Sequence, residues 1–247
     1  MIALLGALQA EMYHTARRIE ETERLEWAGR EITVGVLAGQ QVICTWTGSG
    51  IALSALTSQY ICSRFQPEAI LLVGIGAALN PMYRLGDTVI AEDVIQWDID
   101  TSAIGGGLGV FPGKQPDNSQ LREIYTHPGI NKRLRASAEK QSNRSTSRSA
   151  VYTGRVLSGD RFLPIEGGRE LREMLRDSFQ GDVADMESSS VVLAGFQNKI
   201  PTAVLRIVSD TVAGERPENF RRFLDGCSIK CAEVLELFLD SLSEKPL

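Results

Sequence analysis

The sequence predicts an α/β fold, and three observations carry that prediction. Short runs of apolar and β-branched residues alternate with amphipathic stretches along most of the 247 residues. The clearest run, Pro201–Asp210 (PTAVLRIVSD), is a buried strand opened by a proline and closed by a polar pair. Carboxylates recur just after strands, where open α/β sheets bind their ligands.

In chain order, Ile2–Leu8 is a short apolar strand. A helix is expected from about Ala10 to Glu23, with Met12, Ala16 and Ile19 on one face. Glu11 falls at the strand-to-helix junction, where the helix dipole favours an ionised carboxylate; acidic residues are also ordinary in first turns. Ile32–Ala38 and Val42–Trp46, split by Gly39-Gln40, read as a hairpin. The turn Thr47–Gly50 opens a helix over Ile51–Phe65. Such a turn can bind an anion through free backbone N–H groups, or be plain turn chemistry.

Ala69–Val73 is a buried strand running into Gly74-Ile75-Gly76-Ala77-Ala78. The third glycine of a dinucleotide fingerprint is missing and Pro81 follows, so these glycines are expected to admit a ligand or another segment close to the backbone. Asp87–Ile95 is a strand. Residues 102–120, with Gly105–Gly107, Pro112 and Pro116, form a loop too long for a mere connector, which suggests a functional or interface role. A helix follows near Ile130–Lys140, then the polar stretch Ser142–Ser149, expected as an exposed link. Strand–helix alternation resumes at once, so residues 1–247 are expected to form one domain. Val151–Leu157 is a strand, Glu170–Arg176 an amphipathic helix, and Val183–Glu187 a short strand entering the helix Ser188–Asn198. A final helix is expected from about Phe220 to Leu242.

Composition excludes several function classes. Hydrophobic residues make up 43% and charged residues 23%, as in an ordinary globule, and the net charge of −5 offers no footprint for nucleic acid or an anionic membrane. No apolar run reaches transmembrane length, and the N-terminus lacks the basic region of a signal peptide. The four cysteines, Cys44, Cys62, Cys227 and Cys231, show no disulfide framework, so a reducing cytoplasm is expected. Cys227 and Cys231 share a helix face; with two histidines in the chain they read as buried thiols rather than half a metal site. There is no P-loop, G-x-S-x-G elbow or histidine triad.

Arg206 interrupts the strand 201–210, and a buried guanidinium is costly unless paired. Anionic neighbours are therefore expected. Glu11, Glu187 and Asp210 each follow a strand. If those strands are parallel neighbours, the three carboxylates converge on one rim beside Arg206, a setting for acid–base chemistry in which one group stays ionised and another is protonated.

Five segments, GALQAE (6–11), GIGAALNPMYRLGDTVIAEDV (74–94), SGDRF (158–162), ADMES (184–188) and LRIVSD (205–210), in this order and spacing, resemble the 5′-methylthioadenosine/S-adenosylhomocysteine nucleosidases of the purine nucleoside phosphorylase superfamily. The resemblance covers nearly the whole chain. It implies a three-layer α/β/α fold around a central twisted mixed sheet, a homodimer, no metal or organic cofactor, and hydrolysis of the N-glycosidic bond of a 5′-substituted adenosine. Carried over by residue, it implies that Asp210 protonates N7 of the leaving adenine, assisted by Ser209. Glu11 activates water with Arg206 nearby. Glu187 binds the ribose hydroxyls, Met186 packs beneath the ribose, and Ile75 and Gly76 lie beside it. Phe162 stacks on the base, Leu163 addresses its edge, and Phe220 closes over the 5′ group. Ile104 and Pro112 reach the partner subunit's pocket. Such chemistry is that of glycoside hydrolysis, with positive charge building on the sugar.

The chain departs from that pattern. Ile75 replaces a small hydroxyl residue, Ala77 and Ala78 replace glycines, and Gly106 stands where an aromatic of the 5′ subsite is usual. Leu72 and Ala10 occupy positions where phosphorylases carry arginines, which favours water as nucleophile. The competing readings are a futalosine or aminodeoxyfutalosine hydrolase, a purine nucleoside phosphorylase, and a non-catalytic purine-binding relative. Keeping Glu11, Glu187, Arg206 and Asp210 together argues against the last, because a dead pocket need not hold a costly buried charge set.

Overall fold

The structure is a computed structural model that describes residues 1–113, 119–146, 148–164 and 168–244; Pro116, named above in the long loop, lies outside them. Among the described residues, ten strands and six α-helices follow in chain order. They are β1 (Ile2–Gly6), α1 (Gln9–Ala16), β2 (Glu20–Trp27), β3 (Arg30–Leu37), β4 (Gln40–Trp46), α2 (Ile51–Phe65), β5 (Ala69–Ala78), β6 (Thr88–Gln96), β7 (Ile124–Tyr125), α3 (Pro128–Arg144), β8 (Val151–Ser158), α4 (Arg169–Phe179), β9 (Val183–Asp185), α5 (Ser188–Asn198), β10 (Thr202–Asp210) and α6 (Phe220–Glu244).

The strands form one mixed sheet in the order β10-β6-β8-β9-β5-β1-β4-β3-β2, with β7 on β6. Because β10 also pairs with β5, the strands β5, β10, β6, β8 and β9 close a ring, and the others extend from it. Helices cover both faces. The alternation of strand residues decides which face each fills. Ile2, Leu4, Leu71, Val73 and Leu205 pack with Leu134 of α3 and Leu235, Phe238 and Leu239 of α6. Their neighbours Ala3, Leu5, Ile70, Leu72 and Val204 pack with Ile61 of α2 and Val191 and Val192 of α5. Leu175 and Phe179 of α4 close a third cluster with Trp97, Leu157 and Leu163. Cys44, Cys62, Cys227 and Cys231 are all buried thiols. Burial pushes Cys44 and Cys227 up to about 12, so they pack as small apolar groups.

The structure corrects the sequence reading in several places. The first helix ends at Ala16, and Glu20–Trp27 is an antiparallel edge strand on β3, paired from Glu20↔Val36 to Trp27↔Arg30. Its many charges mimic an exposed helix face. They suit an edge strand equally well, because they discourage further pairing, while Leu25 and Trp27 alternate toward the core. The stretch 142–149 begins as the last turn of α3, and Ser142 is buried with its hydroxyl on the Ser149 carbonyl at 2.6 Å. Finally, the strand expected over Ala69–Val73 continues through Gly74–Ala78, which form the second half of β5.

β1, β5 and β10 are parallel neighbours, so Glu11 and Asp210 emerge at the same rim. β9 is not parallel to them, contrary to the premise that placed Glu187. It pairs antiparallel with β5 through Ala77↔Ala184 and Ala78↔Val183. The chain after β9 therefore runs back along β5, which returns Asp185 to Glu187 toward Gly74.

Candidate active site

Gly74 is the floor of the site. It pairs across the sheet with Arg206. A Cβ on Gly74 would overlap Glu11 Oε1 and lie 2.7 Å from Arg206 Nη1. A side chain on Gly76 would come within 2.6 Å of Val183 Cγ1 and 3.2 Å of the Ala184 carbonyl. The Gly-x-Gly pair thus admits other protein segments close to the backbone.

Glu11 sits in the first turn of α1, 2% exposed. Its Oε2 accepts from the backbone N–H of Ala7 and Leu8, each at 2.8 Å, and Oε1 from that of Ile75 at 2.9 Å. Burial raises its pKa from the ordinary range, opposed by the nearby Arg206 guanidinium and by the three backbone donors. A carboxylate so held is ionisable and more basic than a surface one.

Arg206 is fully buried. Its Nε donates to Asp185 Oδ2 at 2.6 Å, and Nη2 lies 3.2 Å from Ser188 Oγ and 3.5 Å from Glu187 Oε2. Nη1 is buried without a hydrogen-bond partner among the described residues, 2.7 Å from where a Cβ on Gly74 would lie. Asp185 is the guanidinium's principal anchor. It also accepts from Ser158 Oγ at 2.6 Å, from Ser188 Oγ, and from the N–H groups of Glu187 and Ser188. The sequence reading passed over Asp185, although it stands two residues before Glu187 in ADMES, and period two would have put both on one side of an extended segment.

Glu187 Oε1 accepts from the Gly50 N–H at 3.1 Å, and Asp160 Oδ1 from the Ile51 N–H at 2.7 Å. The first turn of α2, read above as a possible anion site, is thus capped by two of the protein's own carboxylates. Burial, with Asp185 and Glu11 nearby, raises the Glu187 pKa, Arg206 and the Gly50 N–H pull it down, and the balance stands at about 7.

Asp210 is not paired with Arg206. A bulge after Val208 shifts the register so that Asp210 faces Ala77. Its Oδ1 accepts from Ser209 Oγ at 2.8 Å, and the same hydroxyl lies 3.2 Å from the Gly76 carbonyl. Its Oδ2 forms an ion pair with Arg172 Nη2. Arg172 was also missed, although a charge on the stripe Arg172, Leu175, Phe179 of α4 was a usable signal.

The remaining residues are disposed around this core. Ile75 and Met186 are half-buried, Gly76 and Leu163 buried. Phe162 and Phe220 are exposed aromatics at 75% and 51%. Ile104 and Pro112 lie exposed on the loop after β6. A side chain at Gly106 would collide with Thr101, whose Cβ lies 2.9 Å from its position, so no aromatic fits there without a shift of the loop. A recess of about 1370 Å³ along α6, lined by residues such as Arg18, Lys230 and Glu233, touches none of Glu11, Glu187, Arg206 or Asp210.

A family model described as the phosphorylase superfamily matches residues 1–240. The 5′-methylthioadenosine/S-adenosylhomocysteine nucleosidase of Staphylococcus epidermidis is 26% identical over 244 residues, spanning 98% of this chain and 100% of that protein. The crystal structure of the Campylobacter jejuni 5′-methylthioadenosine/S-adenosyl homocysteine nucleosidase superposes with a TM-score of 0.85 at 25% identity, covering 98% of this chain and 99% of that one. The native futalosine hydrolase of Helicobacter pylori superposes with a TM-score of 0.84 at 25% identity, over 98% and 97% of the two chains.

Proposed function

The chain belongs to the phosphorylase superfamily, and we propose that within it the chain is a hydrolase of the N-glycosidic bond of 5′-substituted adenosines such as methylthioadenosine, S-adenosylhomocysteine and 5′-deoxyadenosine. The observation that carries this reading is the meeting of Glu11 Oε1 and the unpartnered Arg206 Nη1 over Gly74. A water bound there would be oriented by Arg206 and would give a proton to Glu11. In the reaction, the C1′–N9 bond breaks with its electron pair leaving on the base, and the water oxygen, its proton taken by Glu11, forms the new bond to C1′. Asp210 supplies a proton to N7, and positive charge on the ribose is stabilised by Glu11 and Glu187 in a site of low dielectric. Glu187 binds the ribose hydroxyls, Met186 supports the ring, and Phe162 with Leu163 holds the base. Phe220, with Ile104 and Pro112 from a partner subunit, encloses the 5′ group, so the active form is a homodimer. The residues themselves supply every proton and charge this scheme needs.

Phosphate fits the site poorly. A dianion beneath the ribose would face Glu11 and Glu187, and like charges about 4 Å apart cost several kcal/mol at an effective dielectric near 20. The α2 terminus that could hold it is already capped by Glu187 and Asp160. Leu72 is core and Ala10 carries no charge.

A second reading, a futalosine or aminodeoxyfutalosine hydrolase, draws support from the similarity to the Helicobacter pylori enzyme and from Ile75 and Gly106 at the 5′ side. The test is free-base release from a panel of methylthioadenosine, S-adenosylhomocysteine, 5′-deoxyadenosine, futalosine, aminodeoxyfutalosine and inosine, with and without phosphate. Adenine release at full rate without phosphate, with a free ribose sugar as second product, is expected. A strong rise with phosphate and formation of a ribose 1-phosphate would make the chain a phosphorylase.

A further inference from the structure

Arg172 lies on the buried stripe of α4 with Leu175 and Phe179, 2% exposed, where an apolar residue would ordinarily sit. Removing a guanidinium from water is costly unless good partners replace the solvent. Here Nη1 donates to the Ala78 carbonyl at 3.0 Å, at the end of β5, and Nη2 pairs with Asp210 Oδ2. The backbone contact anchors the guanidinium to the strand that floors the site. The ion pair spends its charge on one oxygen of one carboxylate. Ser209 Oγ holds the other oxygen, so the carboxyl plane of Asp210 is fixed from both ends.

We propose that Arg172 is a positioning residue for proton transfer to the leaving base. The inference rests on the nucleosidase reading above and adds to it a residue that does not touch the substrate. When the C1′–N9 bond breaks, its electron pair passes into the purine, the proton of Asp210 passes to N7, and Asp210 is left as a carboxylate. The carboxylate formed by that transfer is the partner that the Arg172 guanidinium, already in contact with Asp210 Oδ2, pairs with. A fixed cation aimed where charge develops lowers the barrier without reorganising at the moment of reaction. Arg172 therefore acts through Asp210 alone.

The test is a cycle of Arg172→Met, Asp210→Asn and the double variant in the full-length protein, with Arg172→Lys beside them. Base release from the best substrate of the panel, folding and thermal midpoint are measured. Arg172→Met is expected to lower kcat by about 10²–10³-fold, the scale of losing one fixed donor at a developing charge, with KM changed less than about threefold. Arg172→Lys should recover part of that loss. The double variant should be no slower than Asp210→Asn alone, because the two residues act as one unit. Losses that multiply in the double variant would make Arg172 a structural residue and overturn the proposal, as would a folded Arg172→Met with near-normal kcat. If Arg172→Met does not fold, Arg172→Lys decides: full loss of kcat with no recovery in any background overturns it. Wild-type protein that releases no base overturns the nucleosidase reading as well, which separates the two failures.

Discussion

Glu11 and Arg206 meet over Gly74 without forming an ion pair with each other, and a single methyl group on that glycine would press on both. Gly74→Ala is expected to cost about 1–3 kcal/mol of stability, the usual penalty of overpacking. Base release should fall at least about 10²-fold, since displacing reacting groups by an ångström has that effect. Thermal unfolding and a base-release assay on one preparation check both numbers. A fully active Gly74→Ala protein would remove Glu11 and Arg206 from the chemistry.

Glu187 makes activity and stability depend on pH in opposite directions. Its pKa rises from 4.5 in the unfolded chain to about 7 in the fold. Between those values the folded state holds a proton that the unfolded state has lost, so this group's contribution to stability declines as pH rises from about 4.5 to 7. The ionised form is the one that stabilises ribose charge, so base release should climb as pH passes through about 7. Glu187→Gln should lose activity at all pH values and flatten the fall in thermal midpoint between pH 5 and 8. An unchanged slope in that variant would assign the dependence to another group.

Asp210→Asn should abolish base release to within the about 10²–10⁴-fold that a general acid contributes. It should also weaken the fold, because it strips the buried Arg172 of its counter-charge, and breaking one side of a buried pair costs about 3–5 kcal/mol. Denaturant titration of the single variant and of its double with Arg172→Met reads this directly. Stability partly restored in the double variant is the expected result, and wild-type stability in the single variant would show that the pair is energetically idle.

The exposed Ile104, at 74%, and its loop neighbour Pro112 are expected to be covered by a partner subunit. Sedimentation should show a dimer at assay concentrations. Ile104→Glu should weaken that dimer and raise KM for substrates with large 5′ groups more than for 5′-deoxyadenosine. A monomer with full activity would refute the shared pocket.

Local sequence was sufficient for much of this protein. The helices Ile51–Phe65 and Ser188–Asn198 fall where their apolar spacing puts them, and β10 shows its burial in a run of β-branched residues. Glu11, Glu187, Arg206 and Asp210 were visible because a charge beside a buried strand conflicts with its surroundings, and that conflict is written in the sequence. Tertiary structure alone decided which charge meets which. Asp185 rather than Glu11 anchors Arg206, because β9 runs antiparallel to β5 and brings ADMES back across the guanidinium. Arg172 reaches Asp210, 38 residues away in the chain, because α4 packs its buried stripe against the end of β5. The first half of the edge strand β2, up to Glu23, reads as helix because its charged residues satisfy either period, and only pairing with β3 selects one. Local spacing determines what each segment can be; pairing energies between distant segments, absent from any local window, determine which carboxylate each arginine holds.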